Sequence, residues 1–108
     1  MNDRIQSFQE FWPFYLHEHS LQATRRLHFV GTTGSLVLLL LSVFTHAWGL
    51  IVLALIWGYG LAWIGHFFVE RNRPATFRYP FWSLVADWKM WSLMLSGRLE
   101  KELRRVGA

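Results

Sequence analysis

Five histidines stand at positions 17, 19, 28, 46 and 66, and a glutamate, Glu70, follows the last of them by four residues in the stretch WIGHFFVERNRPATF. On an α-helix that spacing puts His66 and Glu70 on one face, where both side chains can address a shared centre. Two histidines and a carboxylate with open positions are the ligand set that suits non-haem iron, leaving room for substrate and oxygen. The chain has no cysteine, so disulfides, thiolate metal sites and thiol nucleophiles are excluded, and any metal has to be held by His, Asp or Glu. Glu70, His17 and Asp87 are each open as the group that completes the set.

These residues need elements to bring them together, and the composition says which. Hydrophobic residues make up 53% of the 108, yet Phe29 to Val69 contains no Asp, Glu, Lys or Arg in a chain that is otherwise 17% charged. That is a membrane signal. The apolar region divides at Thr45-His46-Ala47-Trp48-Gly49, giving spans over 29–45 and 47–69. As helices, Phe29–Phe44 reaches roughly 24 Å and Trp48–Val69 roughly 33 Å at about 1.5 Å per residue. Arg25 and Arg26 precede this hairpin, Arg71, Arg73 and Arg78 follow it, and the connecting turn carries no Lys or Arg. The positive-inside rule then places both ends in the cytoplasm, with a bacterial inner membrane as the expected location.

An antiparallel hairpin sets the start of its first limb beside the end of its second, so His28 meets His66 while His46 stays about a membrane thickness away. His19 needs one more feature. Nine residues at about 100° each put His19 and His28 on opposite sides of a single straight helix, so the chain must bend between them. Ser20 is the expected N-cap, closing one helix near His19 and opening the next.

The expected fold class is all-α: an integral membrane helical hairpin with flanking amphipathic or interfacial helices, forming one domain over 1–108. Residues 1–27 supply interfacial helices, aromatic at Phe8, Phe11, Trp12 and Tyr15, with Pro13 marking a kink or a helix start. Residues 80–105 form an amphipathic helix in which Leu84, Trp88, Trp91 and Leu95 repeat at helical spacing, while Asp87 and Lys89 argue against an independent span. Glu100 and Arg104 stand at i and i+4 in a tail expected to end in solvent. Gly31 with Ser35, and Gly58 with Ala62, provide small residues for close helix approach, and they leave self-association into a homo-oligomer open. Met1 to Phe14 lacks the basic start and apolar run of a secretory signal, so the spans themselves are expected to direct targeting. The formal charge of +4 gathers beside the spans, which suits anionic headgroups, and no nucleic-acid motif is present.

The stretches FYLHEHSLQATRRLHFVGT and WIGHFFVERNRPATFRYPFWSLVADWKM resemble the Mpo1-like membrane family, once catalogued only as a domain of unknown function. One fungal member is named for metabolising phytosphingosine to odd-numbered fatty acids. The resemblance runs from about Phe11 to Met90. Its motif is a histidine, a second nine positions on, then Gly-His, three residues, Glu and a nearby Pro-Ala, here His19, His28, Gly65, His66, Glu70, Pro74 and Ala75. Family members commonly carry Asn-Pro shortly after the first histidine, where this chain has Leu21-Gln22, and the fungal form has additional membrane segments.

The resemblance implies an iron(II)-dependent dioxygenase that shortens a 2-hydroxy fatty acid by one carbon, releasing carbon dioxide. It makes His19, His28, His66 and Glu70 the metal-ligating and catalytic residues, Fe(II) the cofactor, and the lipid bilayer, a 2-hydroxy fatty acid and O2 the partners. Arg25, Arg26, Arg71 and Arg73 are placed to attract the acid headgroup. Asp87 either orients a ligand histidine or serves the electrostatics of its own helix. Two other classes compete: a haem protein with two histidines as axial ligands, and a small membrane protein with no catalytic centre. Five histidines are too few for the histidine-rich di-iron desaturase class.

Overall fold

In the computed structural model, residues 4–108 are described, and the first three residues of the expected interfacial segment lie outside them. Five α-helices follow in order: α1 (Phe8–His17), α2 (Gln22–Thr45), α3 (Gly49–Ile64), α4 (Pro80–Leu95) and α5 (Leu99–Val106). A π-helical turn, Gly65–Glu70, continues α3, and a short 3-10 turn, Ala75–Phe77, precedes α4.

The N-terminus of α1 is set by Ser7, whose hydroxyl accepts from the Glu10 N–H at 3.2 Å. Such a cap contributes about 1 kcal/mol. Pro13 therefore neither starts the helix nor ends it; it lies inside α1, which forgoes one ladder bond there. The second helix begins at Gln22, within a residue of the start expected after Ser20, and runs without a break into the span expected from Phe29. Helix formation depends on backbone pairing, and Arg25 and Arg26 can complete a turn before the apolar region begins. The first limb is thus long: 24 residues reach about 36 Å, as ample as the second.

Gln22–Thr45 and Gly49–Glu70 have mean hydropathies of 1.9 and 1.8, and only 17% and 22% of their apolar windows are buried. A core helix of a soluble protein would show the reverse. Here Val37, Leu40, Val43, Phe44, Val52, Leu55 and Ile56 all face outward. Two helices long enough for a hydrocarbon layer of about 30 Å, with their apolar sides bare, have the properties of membrane-inserted segments.

The limbs pack closely because the contact line is made of small residues. A Cβ on Gly31 would lie 3.2 Å from the Gly58 carbonyl oxygen, and the Ser35 hydroxyl donates to the Ala54 carbonyl at 2.6 Å. The turn between them is made by His46 in the left-handed region.

At the open end of the hairpin, α1, α4 and α5 enclose an aromatic core. Phe11 lies 5.3 Å from Tyr79 ring to ring, Trp12 stacks on Tyr15 at 5.7 Å, and Leu99 and Leu103 of α5 are buried against them. Pro80 occupies the first turn of α4, where its missing N–H costs nothing. The helix expected over 80–105 is in fact two. Gly97, at φ +73°, closes α4 with bonds from its own N–H to Met94 O and from Arg98 N–H to Leu93 O, the paired pattern of a glycine C-cap. The tail consequently folds back onto the core, and its ion pair is Glu102 with Arg105 rather than Glu100 with Arg104. Trp12 Nε1 donates to the same Glu102 at 2.8 Å, tying α5 to α1. These two donors hold the Glu102 carboxyl down at about 2.

Candidate metal centre

Three segments converge where the hairpin meets the aromatic core. His19 comes from the α1–α2 turn, His28 from the second turn of α2, and His66 from the π-helical turn after α3. The His19 ring lies 5.1 Å from His28 and 4.4 Å from His66, centroid to centroid, and all three are buried. The bend between His19 and His28 exists, but Ser20 does not cap it. Leu21 occupies the cap position in extended geometry, with no side-chain bond of its own.

The partners of each ring fix its tautomer. His19 Nδ1 is 2.7 Å from the Tyr15 carbonyl oxygen, which can only accept, so the proton is on Nδ1 and Nε2 carries the lone pair. That Nε2 is buried and has no partner. An unmet buried polar atom costs about 1–3 kcal/mol, which makes it a place to look for a ligand. Burial, then the neighbouring His28 and His66, hold the His19 imidazole well below its ordinary pKa, favouring this neutral form.

His66 is fixed in the same way by Asn72. The Asn72 amide nitrogen donates to the Glu18 carbonyl at 3.0 Å and to the Glu18 carboxylate, so its oxygen is the end facing His66 Nδ1 at 2.7 Å. Nδ1 then carries the proton and Nε2 is again a lone pair. The π-helical turn makes this clamp possible, since it closes with the Asn72 N–H on the His66 carbonyl at 2.8 Å. Burial and the charge of nearby Glu70 raise the Glu18 carboxyl, against the lowering effect of Asn72.

His28 differs. Its Nε2 lies 3.1 Å from Asp87 Oδ1, and the same oxygen accepts from the Tyr15 hydroxyl at 2.6 Å. Burial and the Asp87 charge raise the Tyr15 phenol well above its usual value, so it stays a donor. Asp87 therefore faces the cluster instead of serving its own helix. Between Tyr15, His19, His28, His66, Ser83 and Asp87 is a chamber of about 10 Å³, the size of a single water or ion. As the side chains stand, no three His, Asp or Glu among the described residues are disposed around one point as ligands. The three rings are gathered, with His28 turned to Asp87.

The remaining expected site residues lie elsewhere. Glu70 accepts from the Leu21 N–H at 2.7 Å and from the Ser20 hydroxyl at 2.9 Å, so its carboxylate serves the start of α2. The first helical donors are otherwise unmet, which is the physical reason for its orientation. Arg25 is buried and donates to the His19 and Ser20 carbonyls, both at 2.8 Å, holding the bend that presents His19. Arg26, Arg71, Arg73 and His17 are exposed, and none of them lines the chamber. His46 sits in the far turn. Tyr15, Asn72 and the inward orientation of Asp87 are the features that spacing alone did not single out.

Fold and site together define a class: an all-helical protein built on an apolar hairpin, with a buried histidine cluster at the hairpin's open end. The chain belongs to the Mpo1-like family, whose model, described as 2-hydroxy-palmitic acid dioxygenase Mpo1-like, matches residues 5–99. No curated protein and no solved structure matches it.

Proposed function

We propose that this protein is a membrane-bound non-haem iron(II) dioxygenase that converts a 2-hydroxy fatty acid and O2 into the acid one carbon shorter, carbon dioxide and water. The four electrons lost by the substrate are those taken up by O2, so no external reductant is required. The observation that carries the reading is the convergence of His19, His28 and His66 from three separate segments, with His19 Nε2 buried and unpartnered. The family's name supports the substrate class.

The donor set fits iron. His19 and His66 offer neutral Nε2 lone pairs held in place by the Tyr15 carbonyl and by Asn72. His28 and Asp87, paired with each other through His28 Nε2, would add a nitrogen and an oxygen donor of the kind used for such centres once that pairing opens. When bound there, iron(II) would supply the means of activating dioxygen and a Lewis acid for the substrate's carboxylate and hydroxyl. The chain's own residues do the rest. Burial shields the three rings from bulk solvent, Arg25 fixes the turn that carries His19, and Asp87 holds the His28 ring through Nε2. The exposed Arg26, Arg71 and Arg73 draw an anionic substrate to the rim. Their placement at the open end, with none at the far turn, supports an orientation with both termini in the cytoplasm.

A haem protein is the less suitable reading, since rings 4.4 and 5.1 Å apart around a chamber of about 10 Å³ leave no space for a macrocycle. The test is anaerobic reconstitution with iron(II), followed by oxygen uptake and product analysis with 2-hydroxy palmitate. Equimolar oxygen uptake and chain-shortened acid are expected. If neither appears across several 2-hydroxy acids, the reading fails.

A further inference from the structure

One cavity opens directly onto the histidine cluster. It is a trough of about 120 Å³ between α2 and α3, and it shares His28, Tyr59, Ala62 and Asp87 with the small chamber. On α2 its wall is His28, Thr32, Ser35 and Leu39, spaced by four, three and four residues, which is one continuous helix face. Its floor on α3 is Ala54, Gly58 and Ala62, whose small side chains recess the trough below the outward Leu55 and Tyr59. The Ser35 hydroxyl is already used on the Ala54 carbonyl, so it adds no unmet polar group to the wall.

The dimensions select an occupant. From His28 to Leu39 is eleven residues, or about 16 Å of helix, and one leaflet of hydrocarbon is about half of 30 Å deep. The trough thus starts at the cluster and ends near the bilayer midplane. Its volume is below the roughly 300–1,000 Å³ of sites that engulf a ligand. A chain lying in it therefore keeps one side in lipid. The cluster end of the trough is bordered by His28 and Asp87, and the chamber beyond them is far too small for a phosphodiester headgroup.

We propose that this trough is the acyl-chain site: a single-chain 2-hydroxy acid enters sideways from the leaflet, its tail along the α2–α3 seam and its acid end at the histidines. This rests on the substrate class proposed above. Leu39 and Leu55 close the far end, and they set the longest tail that lies fully in the groove.

The experiment uses 2-hydroxy palmitate bearing a terminal photoreactive diazirine, illuminated with the full chain in phosphatidylcholine vesicles and mapped by mass spectrometry. Label is expected on Ser35 and Leu39 and on Ala54 and Leu55, the residues at the far end of the trough, competed by unmodified 2-hydroxy palmitate and not by added palmitoyl phospholipid. Leu39→Trp, a change at a half-buried position at the far end of the trough, is expected to lower labelling of those residues by roughly four- to fifteen-fold, the effect of losing one or two buried methylenes. Label spread equally over the outward Val37, Leu41 and Ile56, competition by phospholipid, or no response to Leu39→Trp would overturn the proposal. Because labelling requires neither iron nor turnover, its failure with product still formed sinks the groove alone. Labelling without product sinks the enzymatic reading alone.

Discussion

Asn72→Ala separates a positioning role from a merely structural one. The change removes three interactions: the pair with His66 Nδ1 at 2.7 Å, the bond to the Glu18 carbonyl at 3.0 Å, and the bond to the Glu18 carboxylate. The first two contribute about 1 kcal/mol each, and the third little more, because Glu18 is partly exposed and its carboxylate regains water. The expected loss of stability is therefore about 2–3 kcal/mol. Freed of its acceptor, the His66 ring can turn or adopt the other tautomer, and loss of such an outer partner weakens a metal by roughly 10- to 100-fold. Asn72→Asp keeps an acceptor for His66 Nδ1–H but loses both donors to Glu18 and adds a charge beside a carboxyl already raised by burial and Glu70. Iron affinity, measured anaerobically against a competing chelator, is expected to fall in Asn72→Ala and to recover most of the way in Asn72→Asp. Thermal stability, followed by tryptophan fluorescence in detergent, is expected to fall in both. Unchanged iron affinity in Asn72→Ala, or equal weakening in the two variants, refutes the tautomer argument.

Glu70→Ala should cost about 1 kcal/mol through the exposed start of α2 and leave iron stoichiometry at the parent value; loss of iron would place Glu70 in the coordination sphere. Tyr15→Phe removes a charge-assisted bond to Asp87 worth about 1.5–3 kcal/mol, and oxygen uptake is expected to drop with it while Tyr59→Phe is milder. For the metal-free protein, the lowered pKa of His19 fixes the sign of the pH dependence. The folded state binds fewer protons than the unfolded one below about pH 6.5, so stability rises with pH there and falls on acidification toward the folded-state pKa. Histidine-detected nuclear magnetic resonance would show His19 neutral; a His19 signal titrating near the ordinary value of about 6.5 would contradict its burial.

The hairpin was legible because a bilayer tolerates so little. A charge-free run from Phe29 to Val69 with one polar break has few foldings, and antiparallel limbs bring His28 beside His66 whatever the side chains do in detail. The bend before α2 followed from angular arithmetic between His19 and His28. Periodicity does not report which neighbour a face meets. Asp87 is 59 positions from His28, and its inward turn depends on how α4 docks on α2, where Trp91 Nε1 donates to Thr33 at 2.9 Å. Asn72 required the π-helical turn, which no residue spacing announces. The break in the last helix did have a signal, Ser96-Gly97, and a glycine after an apolar run is a helix stop.

The two carboxylates show why spacing to a histidine is a weak guide to its partner. Glu70 stands four residues from His66 but also within reach of the Leu21 N–H and the Ser20 hydroxyl, at a helix start whose donors are unmet and whose dipole attracts an anion. Asp87 stands in the middle of α4, where the backbone donors are already spent within the helix. Its oxygens can be satisfied only by side chains, and the donors facing it are the Tyr15 hydroxyl and the His28 ring. An acid near a free helix terminus is drawn to the backbone. One part-buried mid-helix is left to the side chains of its neighbours, which here puts the carboxylate nearest the imidazoles on α4 and not on the motif that carries the histidine.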